Sequence, residues 1–266
     1  MSEEFSTIRS ADGTTIAYER HGQGPAVIAV DGALSVRGGK AGLDSLLGPE
    51  FTVFRYDRRG RGDSGDTWPY ATEREVEDLA AVLQAAGGTA FLYGHSSGCA
   101  LVIDAAIALG LAAVPKIALY EAPYNDDPAT QPGWDRYLAD LAAALAEDRR
   151  ADAVAAFMAY VGTPAEQIEA ARGEPWFKGL EAIAPTLAYD HAGLLGPSLA
   201  VPVAKAATIS VPALVMYGGA SFPFMRPTAQ TLSAAIPGAE LREVAGQPHP
   251  VAAEVLAPLL AEFFAA

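Results

Sequence analysis

The chain has 266 residues, 51% of them hydrophobic, and sets 18 basic against 32 acidic side chains for a net charge of −14. That apolar fraction fills one sizeable core and excludes a disordered chain. So acidic a surface repels phosphate backbones and anionic lipid, which excludes nucleic acid and membrane as expected partners and leaves a small-molecule substrate. The one cysteine, Cys99, has no intrachain partner. The N-terminal MSEEFSTIRS lacks the apolar core of a signal peptide, and no apolar run reaches the roughly 18 residues of a membrane span, so a cytoplasmic location is expected. The oligomeric state is not encoded in anything legible here.

In chain order, residues 5–9 and 15–20 alternate around Asp12-Gly13 and read as a hairpin. Residues 25–30 (PAVIAV) and 51–56 (FTVFRY) are short apolar runs of the kind buried on both faces of a parallel sheet. Residues 72–86 read as a helix, with Thr72 and Glu75 as a capping box and Gly87-Gly88 as its stop. TAFLY (89–93) is a strand, 98–109 a buried helix and KIALY (116–120) a further strand. This alternation implies a parallel sheet with helices on both faces.

The alternation stops after Tyr120. Helical patterns follow at 148–160 and 175–189, and Thr163-Pro164-Ala165-Glu166 reads as a second N-cap with capping box. Strand and helix then resume at 213–217, 227–235, 240–244 and 251–264. The expected organisation is one α/β core (1–123 and 208–266) carrying a helical cap insertion (124–207).

Gly94-His95-Ser96-Ser97-Gly98 fits G-x-S-x-G directly between a strand and a helix. There a sharp turn presents the serine hydroxyl at the carboxyl end of the sheet. The motif recurs by chance, so its context carries the argument. Asp57, Arg59, Gly60, Gly62 and Ser64 lie in the loop after the preceding strand, and Asp31-Gly32 follows the strand before that.

On these landmarks the chain resembles the α/β-hydrolase superfamily, whose members often carry D-x-R-G-x-G-x-S at this place. The resemblance covers essentially the whole sequence. It implies an α/β-hydrolase fold, a mostly parallel sheet flanked by helices, with Ser96 as nucleophile. His249, between the last strand and the last helix, stands at the family's place for the base. It implies an oxyanion hole from the backbone N–H groups of Ala33 and Ser97. The usual His-Gly of that loop is Asp31-Gly32 here, and whether Asp31 is buried and bonded or meets substrate stays open.

The family's usual acid after strand 213–217 is missing, since no carboxylate lies between positions 213 and 239 and Ser221 stands near its place. Glu121 ends KIALY, and parallel strands bring their carboxyl ends to one edge, so Glu121 is the candidate acid. Some superfamily members carry the acid after this strand. Leu34, His95, Tyr124, Trp134 and Phe222 are candidate substrate contacts, against the alternative that the aromatics simply pack the insertion.

Scattered histidines and a lone cysteine give no metal site, and no glycine-rich nucleotide loop occurs, so no cofactor is expected. The expected activity is a serine hydrolase cleaving an ester or lactone of a small, largely apolar acyl group. The alternatives are another reaction type on this fold, C–C hydrolysis or perhydrolysis, or a ligand-binding member without catalysis.

Overall fold

In the computed structural model, which describes residues 5–39 and 42–266, the first alternating runs form an antiparallel hairpin. Its strands are β1 (Ser6–Arg9) and β2 (Thr15–Gly22). Residues Met1 to Glu4, on which part of the leader reading rests, lie outside the described residues. The core continues with β3 (Ala26–Val30), the short helix α1 (Leu43–Leu47), β4 (Thr52–Tyr56), α2 (Thr72–Ala85), β5 (Phe91–His95), α3 (Gly98–Ala113) and β6 (Ile117–Tyr120).

Between β6 and the next strand lie α4 (Gln131–Ala146), α5 (Arg150–Tyr160), α6 (Ala165–Arg172), α7 (Pro175–Ile183), a π-helical turn at Tyr189–Leu195 and α8 (Val203–Ala206). The core then closes with β7 (Ala213–Gly218), α9 (Met225–Ala235), β8 (Glu240–Val244) and α10 (Ala253–Ala265). Among the described residues no helix is long and apolar enough to cross a membrane.

The eight strands form one sheet in the order β1-β2-β4-β3-β5-β6-β7-β8, with only β2 running against the rest. Strands β3, β6 and β7 are unbroken apolar runs because both faces of the sheet are covered there. One face carries α1 and α10, through Leu43, Leu47, Leu256, Leu260, Phe263 and Phe264. The other carries α2, α3 and α9. Buried residues of the β6–β7 segment, among them Trp134, Leu141, Phe177 and Leu187, join that second cluster without a break. Helix α3 therefore has protein on every side of its first turns, which is why it is apolar all round.

The chain leaves β3 for β4 on one side and returns past it to β5 on the other. The carboxyl ends of β3 and β5 thus flank a topological switch point, where open α/β sheets form their crevice.

Both expected capping boxes are absent. Ala71 is the N-cap of α2, with no side-chain cap hydrogen bond, and Glu75 is drawn inward to Arg58 instead. A buried guanidinium needs a carboxylate more than an N–H at a helix end does, because that N–H can bond water. Helix α6 begins one residue later than expected, with Pro164 as N-cap. The Thr163 N–H is engaged on Met158 O at 2.9 Å, closing α5.

Candidate active site

Ser96 sits in the turn between β5 and α3 with φ 56°, a left-handed backbone that a non-glycine residue adopts only under constraint. Its N–H donates to Tyr120 O at 3.0 Å, and its carbonyl accepts from Cys99 N at 2.9 Å, so both peptide planes of the elbow are held. The flanking glycines answer to space. A Cβ on Gly94 would lie 2.8 Å from Cys99 Cα, and one on Gly98 would lie 2.2 Å from Val30 O. Among the described residues four non-glycines have positive φ, and three of them, Leu34, Ser96 and Glu121, lie just beyond the carboxyl ends of the neighbouring strands β3, β5 and β6. Such strain persists only where the surroundings over-determine it, and it clusters at functional sites.

Glu121 directly follows β6. Its carboxylate is 1% exposed and accepts three hydrogen bonds: Gly218 N at 2.7 Å on Oε1, and Ser221 Oγ at 2.5 Å and His249 Nδ1 at 2.8 Å on Oε2. Ser221 thus serves as a donor to the Glu121 carboxylate. His249 is 26% exposed, in the loop between β8 and α10. That loop is pinned from below: Tyr120 Oη donates to Pro248 O at 2.8 Å, and His95 Nε2 lies 3.0 Å from His249 O. A carbonyl only accepts, so His95 carries its proton on Nε2. With Nδ1 of His249 directed at a carboxylate, its Nε2 is the nitrogen left to face a nucleophile. Among the described hydrogen bonds none joins Ser96 Oγ to His249; such contacts commonly tighten only with substrate bound.

The other expected residues divide. Leu34 lies in the turn after β3 next to Ala33, and Ser97 is the N-cap of α3. The Phe222 ring is 40% exposed, 5.9 Å from the His249 ring and stacked on Phe224. His95 lies on the α10 face together with Tyr93, as alternation along β5 dictates, and supports the histidine loop there. Tyr124 is buried, and its carbonyl accepts from Thr228 Oγ1 at 2.6 Å. Trp134, 1% exposed, packs against Tyr137, Tyr160 and His191 with its Nε1 on Gly196 O at 3.1 Å, inside the β6–β7 segment. Asp31 also takes the α10 face and forms an ion pair with Arg55 at 2.7 Å. A cavity of about 260 Å³ lies there, lined by Arg55, Tyr93, His95 and Leu256 among others, beneath the sheet edge that carries Ser96.

The sequence reading missed a buried ionic cluster above Ser97. Arg58 donates from Nε and Nη2 to Glu75 (2.6 and 2.7 Å) and from Nη1 to Asp190 (2.6 Å). Asp190, in the π-helical turn, also accepts from Arg61 and from Ser97 Oγ at 2.7 Å. Burial pushes the Asp190 carboxyl up, but Arg58 and Arg61 outweigh it and hold the group below the usual carboxylate range. Burial, with Arg58 beside it, lowers the Arg61 guanidinium. Next to Asp190, burial brings His191 down from 6.5 to about 4, and its Nδ1 lies 2.6 Å from Tyr137 Oη. The available signal was one acid, Asp190, within the apolar stretch TLAYDHAGLL. Among the described residues no three His, Cys, Asp or Glu side chains cluster as a metal site.

A family model described as "Alpha/beta hydrolase family" matches residues 32–259. A solved alpha/beta hydrolase from Sphaerobacter thermophilus is 49% identical, covering 97% of this chain and 100% of that one, with a TM-score of 0.87. An esterase from Exiguobacterium antarcticum is 19% identical over 99% of this chain and 100% of its own, with a TM-score of 0.77. An enol-lactonase from Burkholderia xenovorans is 20% identical over 99% and 100%, with a TM-score of 0.66. The last two likenesses are of fold.

Proposed function

The chain belongs to the alpha/beta hydrolase family, and from that premise we propose that it is a serine hydrolase of carboxylic esters or lactones with a Ser96–His249–Glu121 triad. The observation that carries this reading is the buried Glu121 carboxylate 2.8 Å from His249 Nδ1, at the end of β6 beside the β5 end that precedes Ser96.

A serine hydroxyl is a weak nucleophile until a base takes its proton. In the proposed cycle His249 Nε2 removes the Ser96 Oγ proton as the oxygen attacks the carbonyl carbon. Glu121 faces the imidazolium that forms, and its three donors hold the carboxylate in that orientation. The carbonyl electrons move onto oxygen, which the Ala33 and Ser97 N–H groups receive. Ser97 N–H lies at the positive end of α3, so the helix adds to this stabilisation. His249 returns the proton to the departing alkoxide oxygen. The acyl-enzyme is cleaved by water through the same sequence.

The β6–β7 segment acts in this reading as a cap over the site, with Asp190 touching the residue next to the nucleophile. Leu34 and Phe222 provide apolar surface near Ser96 and His249, which suits a small, uncharged acyl group. A panel of p-nitrophenyl esters and lactones of graded acyl length tests the function. Turnover is expected for short acyl chains and is lost in Ser96→Ala. No turnover of any activated ester would leave a binding protein on a hydrolase fold.

A further inference from the structure

We infer that Arg61 and Asp190 form a positioning pair that fixes the two N–H groups of the oxyanion hole, an inference resting on the serine-hydrolase reading. Arg61 Nη1 donates to Gly32 O at 2.9 Å. Gly32 C=O and Ala33 N–H belong to one peptide unit. In a trans peptide they point in opposite directions, so holding the carbonyl sets the direction of the N–H. A guanidinium on the carbonyl also polarises the unit and makes its N–H a better donor.

The second nitrogen of the fork reaches Asp190 Oδ2, while Asp190 Oδ1 accepts from Ser97 Oγ at 2.7 Å. The peptide that carries Ser97 N–H is held at its other end by Cys99 N on Ser96 O. One carboxylate and one guanidinium therefore join the residues that bear both donors, Ala33 and Ser97, into a single hydrogen-bonded frame.

The surroundings favour positioning over bulk stabilisation. Arg58, Arg61, Glu75 and Asp190 are all buried, two cations against two anions, so the cluster carries no net charge. Apolar side chains of similar size would serve stability as well as a buried ionic group does. They would not fix two peptide planes within the tenths of an ångström that an oxyanion site demands. Arg61 suits this task and a lysine would not, because only a planar fork serves Gly32 O and Asp190 at once. Asp190 comes from the π-helical turn of the β6–β7 segment, so the frame is complete only with that segment seated on the core.

The test is Arg61→Met, which keeps volume and leaves Asp190 with Arg58 and Ser97. Rates on a short p-nitrophenyl ester, inhibition by a trifluoromethyl ketone and thermal melting are measured together. The ketone adds the serine oxygen and places an alkoxide in the hole. The expected result is a kcat about 10- to 100-fold lower with KM within about threefold. The ketone's affinity should fall by the same factor as kcat/KM. Ser97→Ala, which removes the hydroxyl but keeps the N–H, should show the same split at about three- to tenfold, and it carries the test if Arg61→Met fails to fold. Full kcat in the folded variant, a change in KM alone, or lost rate with unchanged ketone affinity would overturn the inference. Wild-type protein without turnover, or Ser96→Ala with turnover, would instead defeat the serine-hydrolase reading and take this inference with it.

Discussion

Glu121→Gln isolates the charge of the proposed acid while keeping its shape. The amide oxygen is expected to stay on Gly218 N–H, since turning the NH2 group there would set donor against donor and leave a buried N–H unsatisfied, at about 1–3 kcal/mol. The NH2 group then faces His249 Nδ1, which must become an acceptor and shift its proton to Nε2, the nitrogen that has to be empty to receive the Ser96 proton. The same exchange in a Ser-His-Asp triad lowers kcat by about four orders of magnitude. Ser221 Oγ can rotate to accept the amide's other N–H, which keeps the site hydrogen-bonded. We expect kcat to fall by about two to four orders of magnitude, roughly 3–5 kcal/mol of transition-state stabilisation. The melting temperature should change little, because volume and the Gly218 contact are retained. Initial rates on p-nitrophenyl acetate with a thermal melt on the same sample measure both. A kcat within threefold of wild type, while Ser96→Ala is dead, would refute the assignment of Glu121.

Ser221→Ala removes one of three donors on the Glu121 carboxylate and should lower kcat by about tenfold or less in the same assay, with the melt unchanged. Gly98→Ala forces a Cβ to 2.2 Å from Val30 O, so β3 and α3 must separate; a drop of several kcal/mol in denaturant unfolding is expected, with loss of activity. His191 is neutral in the folded state down to about pH 4 but titrates near 6.5 when unfolded. The unfolded chain binds the extra proton across that window, so stability is complete above it and falls as pH drops from 6.5 towards 4, by on the order of 3 kcal/mol. His191→Gln should flatten this part of a stability-against-pH curve, and a curve identical to wild type would contradict the burial argument.

The sheet is legible because strands covered on both faces leave unbroken apolar runs, as at 26–30, 117–120 and 213–218. Glu121 can be placed near His249 because no carboxylate lies between positions 213 and 239 and parallel strands bring their carboxyl ends to one edge, as β5 and β6 do. Other features are illegible in part because local patterns cannot report partners that arrive from afar. Glu75 reads as a cap until Arg58 claims it. Asp190 lies 93 positions from Ser97 in the chain, and only the folded β6–β7 segment brings them together. Asp31 and His95 share the motif neighbourhood of Ser96, yet alternation along β3 and β5 turns them to the α10 face. Helix α1 has only five residues, too few for a periodic signal.

The most direct test of the central claim is covalent. A fluorophosphonate forms a bond with a serine only where a base activates the hydroxyl and N–H groups receive the phosphoryl oxygen. Intact mass and peptide mapping after treatment should find a single adduct on Ser96, none in Ser96→Ala, and much slower labelling in His249→Ala. An adduct that survives Ser96→Ala, or a wild-type protein that takes no label, would contradict the account.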